Sequence, residues 1–450
     1  CLSNLLQLQE DLILFLPVTV LLYYITPNIK VKNIVLLAAS LFFYGVGEPK
    51  NIFLLLACTL ISHVLTILMC KTKYRRGILS TIISLNVGVL CFYKYLGMNV
   101  VLPVGISFYT FQLLSYSVDV YRKPEILQKN YFTLLLYITL FPQLVAGPIV
   151  KYHDVAEQFK AREMNLAKVA EGLRRFSFGL GKKVLIANTL GNIVDIVYSW
   201  DYSHYSFTIT WVTAILYALQ IYYDFSGYSD MALGLGKIFG FELKENFNYP
   251  YNATSIKEFW RKWHISLSTW FKEYLYIPLG GSRKGKVRTI VNKYIVFFLT
   301  GLWHGANGTF VIWGLIHGTC SVLEELGSWS EKIKGKMIGW IYTMFVVVVS
   351  FVFFRSENLI QALSFLKGMF LGVQSGYTTM SEFQILFNPY VICICIIALI
   401  GMFNWKKKLA VLFEHKYVSG FVYVVSLCCI YYCIMALASN SYNPFIYFRF

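Results

Sequence analysis

In 450 residues the chain carries 57% hydrophobic and only 14% charged side chains, with a mean hydropathy of +0.57. A soluble protein of this length needs far more polar surface, so the expectation is a single integral-membrane domain over residues 1–450, all-α and polytopic. The formal net charge of +17 does not indicate nucleic acid, because the lysines and arginines sit in short loops between apolar spans, where positive-inside bias and anionic headgroups account for them. The ten cysteines lie mostly within apolar spans without a C-x-x-C pair, and read as small apolar residues. The first apolar stretch lacks a basic n-region and a small-residue cleavage site, so no cleavable leader is expected.

In chain order, apolar spans are predicted at 12–25, with Pro17 inside, at 34–46, and from Asn51 to Cys70. Lys30 and Lys32, then Lys71, Lys73, Arg75 and Arg76, mark cytoplasmic loops and place the amino terminus outside. A fourth span covers 78–96. The segment 102–121 follows, where Pro103, Gly105, Ser107, Gln112, Ser115, Ser117 and Asp119 interrupt the apolar pattern. So many hydrogen-bonding groups imply packing against protein or a cavity rather than lipid, and 140–150, with its proline and glycine breaks, reads the same way. Residues 151–183 are basic and amphipathic and predict a pair of helices on the cytoplasmic surface. A span at 207–223 leads into Asp224-Phe-Ser-Gly-Tyr-Ser-Asp230 and a glycine-patterned segment to Gly240. Its spacing, Gly234-x-Gly236-x-x-x-Gly240, fits neither dinucleotide nor P-loop binding. Close helix packing or a re-entrant half-helix is the expectation.

The most informative stretch is 258–318, which holds three of the seven histidines. At helical spacing Trp260, Trp263, Leu267, Trp270, Phe271 and Tyr274 share one face and Lys257, Arg261, Lys262, Thr269, Lys272 and Glu273 the other, predicting an interfacial helix. A Gly-Gly-Ser turn and a basic run, Arg283, Lys284, Lys286 and Arg288, lead to two apolar segments separated by Gly305-Ala-Asn307-Gly308, with His317 near the middle of the second. An ionisable group at that depth either satisfies a neighbouring helix or serves chemistry. Imidazole titrates nearest neutrality and suits the passage of a proton from an acceptor hydroxyl to a leaving group. With His264 at the edge of the aromatic face and no free nucleophile, direct group transfer is the chemistry these residues suggest. His304 reads as a brace of its turn. Asp224 and Asp230 need basic partners at their depth, and Arg261 is a candidate. Arg261, Lys262, Lys284 and Lys286 suit either lipid headgroups or the phosphates of a donor. The spacing of residues 264, 304 and 317 predicts no metal site.

Beyond His317 the sequence predicts a lysine-bearing loop (Lys332, Lys334, Lys336), a span at 337–354, a long loop to Pro389, a span at 390–403, a second lysine cluster at 406–408, and a last span at 420–438. Both lysine clusters are expected inside, and the 355–389 loop and the carboxyl terminus outside. The total is about eleven spans with re-entrant and interfacial pieces.

The strings EFWRKWHISLSTWFKEYLYIPLGG and GLWHGANGTFVIWGLIHG resemble the membrane-bound O-acyltransferase family, and within it the bacterial branch containing the alginate O-acetyltransferase membrane subunit. The resemblance extends through LPVGISFYTFQLLSYSVDVYR, FPQLVAGPIVKY, YALQIYYDFSGYSDMALGLGKIFGFELKENFNYPY and the terminal SYNPFIYFRF. It implies helices around a central funnel, a catalytic core at about 102–325, and His317 of the WG-x-x-HG string as the catalytic residue. His264 becomes the second polar group of the reaction chamber, with Trp260, Arg261, Asp224, Asp230, His304 and Asn307 as supporting candidates. The resemblance further implies acetyl transfer from acetyl-CoA or another cytoplasmic thioester, with no resident cofactor. The acceptor would be an extracytoplasmic glycopolymer, and a membrane-anchored or secreted esterase-like protein would relay the acyl group. D-alanyl transfer to teichoic acid from a carrier protein is the nearer alternative and a transporter the more distant one. Where relatives are expected to carry an acid, within KKVLIANTL, this chain has Asn188.

Overall fold

A computed structural model describes residues 2–96, 101–144, 147–372, 377–405 and 416–438. The lysine cluster at 406–408 and the terminal SYNPFIYFRF string lie outside the described residues. The described elements are helical. Five helices are long and apolar enough to cross a membrane, or six if the bent pair Thr379–Ile385 and Pro389–Gly401 is one span. The other helices read as spans from the sequence do not meet that test among the described residues. Ile106–Arg122 has only 17 residues, and its polar side chains are buried within the protein.

The chain divides into two units, residues 1–176 with 230–244, and residues 177–229 with 245–450. In the first, Asn51–Lys71 and Arg75–Cys91 pack with Ile106–Arg122. Polar groups find one another inside: Thr66 and Ser117 hydroxyls lie 3.2 Å apart, and Asn86 donates to Ser62 at 3.0 Å. Asp119, also predicted to face protein, meets His153 at 2.8 Å. The expected surface helix pair at 151–183 is instead two short turns and one amphipathic helix, Leu166–Gly181, which continues through a π-helical turn, Lys182–Ala187, into Asn188–Tyr198.

Phe207–Ile238 is one continuous helix, so the break anticipated at Asp224 is absent. Its glycines are close-approach points, as small residues in membrane helices commonly are. A Cβ on Gly227 would lie 2.8 Å from the Gly179 carbonyl oxygen, and one on Gly234 would lie 2.6 Å from that of Gly172.

In the second unit, Lys286–His304 and Gly308–Gly327 form a tight hairpin. Asn307 caps the second helix by accepting from the Thr309 amide at 3.2 Å, which explains the break after His304. A Cβ on Gly314 would fall 2.3 Å from the Phe297 oxygen, and one on Gly301 would fall 2.5 Å from that of Phe310. The two backbones therefore touch, and that contact fixes the height of His317. Met337–Arg355 packs against Gly308–Gly327. The predicted 355–389 loop is largely helical, Leu359–Leu371 and Tyr377–Ile385, because Asn358 caps the first and Ala362, Phe365 and Met369 give it a buried face.

Replacing Gly314 with valine forces the hairpin apart and is expected to cost about 1–3 kcal/mol. Gly308→Ala, where a Cβ meets nothing within 4 Å, is expected to be neutral. Thermal unfolding of the two variants in detergent, read against wild type, checks the contrast.

Candidate active site

The Ile256–Lys262 helix is capped by Ser255, which accepts from the Glu258 amide at 3.0 Å, while Glu258 reaches back to accept from the Thr254 amide just before the cap at 2.8 Å. Its remaining orphan amides are met from elsewhere. Buried Glu324 accepts from Ile256 at 2.6 Å and from Lys257 at 3.1 Å. Glu324 lies on the same helix as His317, so this contact ties the two helices together.

The predicted interfacial helix is not continuous. It is two seven-residue helices, Ile256–Lys262 and Ile265–Phe271, hinged at His264, whose backbone is left-handed at φ +43°. The break is held by the segment beside it. Ile265 donates to the Asn246 carbonyl at 2.9 Å and Asn248 to the Lys262 carbonyl at 2.9 Å, while the Asn246 side-chain oxygen accepts from the Ser266 amide at 3.1 Å and hydroxyl at 2.9 Å. The same oxygen lies 3.2 Å from His264 Nδ1. An amide oxygen only accepts, so Nδ1 carries the proton. His264 is fully buried rather than at the edge of an exposed face, and burial pushes its imidazole down to about 3, which keeps it neutral.

His317 is fully buried at mid-helix. Phe259 stacks on its ring at 5.9 Å and 20°, while Trp260 and Trp313 present edges at 5.4 and 5.3 Å. The Trp260 indole donates to Nδ1 at 3.3 Å, and Nε2 lies 2.9 Å from the Ser350 hydroxyl. Aromatic contacts run from His264 to Trp303, on to His304 and Trp313, and so to His317. His304 is buried within that series, against Phe354 as well, which fits a brace.

The other candidates divide. Asp224 pairs with Lys183 and not with Arg261; both partners are buried. Lys183, expected on the surface, is buried within the π-helical turn Lys182–Ala187. Asp230 belongs to the first unit and is held by two Arg175 nitrogens at 3.0 and 2.8 Å. Lys262 pairs with Glu258 at 2.7 Å. Arg261, Lys284 and Lys286 are exposed. Asn307 is a helix cap. Ser350, Glu324 and Asn246 were missed; the one available signal was a hydroxyl inside the run VVVVSFVFF.

The sequence model of the membrane-bound O-acyltransferase family matches residues 123–366. The chain belongs to that family. It is 38% identical to the probable alginate O-acetylase AlgI of Pseudomonas putida, in an alignment covering 80% of this chain and 79% of the relative. It is 36% identical to the peptidoglycan O-acetyltransferase of Helicobacter pylori over 79% and 77%. The identity to the teichoic acid D-alanyltransferase of Bacillus subtilis is 29%, over 57% and 67%. The chain is thus a multi-pass membrane O-acyltransferase.

Lys183→Met or Asp224→Leu alone strands a buried charge and is expected to cost about 3–5 kcal/mol, whereas the double replacement recovers most of that loss. The thermal midpoints of the three purified variants check this.

Proposed function

We propose that this acyltransferase moves an acetyl group from a cytoplasmic thioester, acetyl-CoA or a comparable donor, to a hydroxyl of an extracytoplasmic polysaccharide. The observation that carries the reading is the match, over about four fifths of the chain, to relatives named for O-acetylation of alginate and of peptidoglycan. The core of the reaction is residues 102–325. His317 is the general base: it takes the hydroxyl proton as the new C–O bond forms, then returns that proton to the sulfur as the C–S bond breaks. Its burial among aromatic rings supports this role, because excluded water strengthens each polar contact in the site.

For His264, two tasks are open: orienting the acyl donor, or polarising its carbonyl. A neutral ring whose Nδ1–H is spent on Asn246 has a lone pair on Nε2, which accepts hydrogen bonds and cannot polarise a carbonyl oxygen. Orientation is therefore its task. The exposed cations Arg261, Lys284 and Lys286 are the candidates for donor phosphates. In the bacterial cytoplasmic membrane the lysine-rich loops would face inward and both termini outward. An esterase-like partner, anchored or secreted, would carry the acyl group on to the polymer.

The test is transfer of radiolabel from acetyl-CoA by protein in nanodiscs. His317→Ala is expected to lower turnover by about 10²–10⁴-fold. His264→Ala should act mainly on the apparent donor affinity. Wild-type turnover by His317→Ala sinks the assignment of the base. Turnover with a D-alanyl carrier thioester and none with acetyl-CoA replaces the donor.

A further inference from the structure

We propose that His317 receives the acceptor's proton on Nδ1, and that Ser350 is the positioning residue that holds the imidazole in the tautomer this requires. The proposal rests on the reading of His317 as general base and specifies which nitrogen acts.

One contact sets the tautomer and a second, from another helix, fits it. An indole N–H only donates, so the nitrogen facing Trp260 at 3.3 Å, Nδ1, must offer its lone pair. The opposite side is compatible with that tautomer. With Nδ1 accepting, the neutral ring carries its hydrogen on Nε2 and gives it to the Ser350 oxygen at 2.9 Å. The Ser350 hydroxyl hydrogen is then left for the Val347 carbonyl, 2.9 Å away on the preceding turn of its own helix. The result is one directed series: indole N–H to Nδ1, Nε2–H to the Ser350 oxygen, Ser350 O–H to the Val347 carbonyl. Rotation of the ring is opposed by Phe259 stacked on its face and by the edges of Trp260 and Trp313. Ser350 is fully buried, so no water substitutes for it readily.

The chemistry follows. The Trp260 contact is long for a hydrogen bond to a ring nitrogen, so an acceptor hydroxyl displaces it at little cost. The hydroxyl proton passes to Nδ1 as its oxygen bonds to the thioester carbon. The imidazolium keeps its Nε2 hydrogen on Ser350, and the Nδ1 proton goes to the departing sulfur. Ser350 thus fills, with a neutral oxygen, the orienting place that a carboxylate occupies behind the histidine of hydrolase triads.

Ser350→Ala is expected to lower kcat for acetyl transfer by about 10–100-fold, the scale seen when a hydrogen-bonding partner behind a metal-bound histidine is lost, with KM for acetyl-CoA unchanged. Ser350→Thr, which restores the hydroxyl, should return to within a few-fold of wild type, while Ser350→Val, of similar size without it, should not. Nitrogen-15 spectra of histidine-labelled wild type in nanodiscs, with His317 assigned by its loss in His317→Asn, should show a neutral ring protonated on Nε2. This measurement does not depend on any Ser350 variant folding. A ring protonated on Nδ1 overturns the proposal, as does wild-type kcat in Ser350→Ala. If His317→Ala is inactive while Ser350→Ala is fully active, only this inference fails; if His317→Ala retains turnover, the general-base reading fails with it.

Discussion

At His317 both nitrogens of a buried imidazole find partners inside the protein, and those contacts set the arrangement of three helices around it. Its own helix supplies the ring, Ile256–Lys262 supplies the indole on one side, and Met337–Arg355 supplies the hydroxyl on the other. None of these contacts survives a shift of an ångström. Two devices prevent such a shift. The glycine contacts at 301 and 314 leave the hairpin no freedom to slide, because a close-packed interior has little slack. The Glu324 carboxylate pins the first turn of the Trp260 helix to the helix of His317, satisfying amides that would otherwise be orphaned.

The two histidines are held in opposite ways. His317 sits on a regular helix and is oriented by side chains. His264 sits at a backbone hinge in the left-handed region, which a non-glycine residue adopts at a cost of about 1–3 kcal/mol when the surroundings over-determine it. Here Asn246, through its backbone and side chain, holds the hinge, the start of the following helix and the tautomer of the ring, while Asn248 holds the end of the preceding helix. The rings between the two histidines exclude water from both. Each polar contact there is worth correspondingly more, and each orphaned group would cost more.

Much of this was legible in the sequence and some was not, for identifiable reasons. The hairpin, its break at Gly305 and the mid-helix place of His317 followed from local polarity. Of the two readings of the glycine pattern after Asp224, close packing fits the structure and the re-entrant half-helix does not, because Phe207–Ile238 runs on as one helix. The hinge at His264 was invisible because the 3.6-residue periodicity of the tryptophans continues across it. What breaks the helix is a segment eighteen residues earlier. Glu324 and Ser350 lie still further from the hinge in sequence, and their roles are set by tertiary contact alone. The capping of Leu359–Leu371 by Asn358 is different. Asn358 with Gln361 three residues on is a helix-start signal that local sequence carries by itself.

The same distinction explains where the acids of this region go. Asp224, Asp230 and Glu324 each sit where an unpaired carboxylate is costly, and each is committed to structure: to Lys183, to Arg175 and to two backbone amides. Such groups hold helices together through contacts that stay made, which is the opposite of what proton transfer asks. A neutral imidazole asks less of its surroundings, since one donor and one acceptor satisfy it in the resting state. Trp260 and Ser350 supply that pair, and the reaction needs only the weaker of the two contacts to give way.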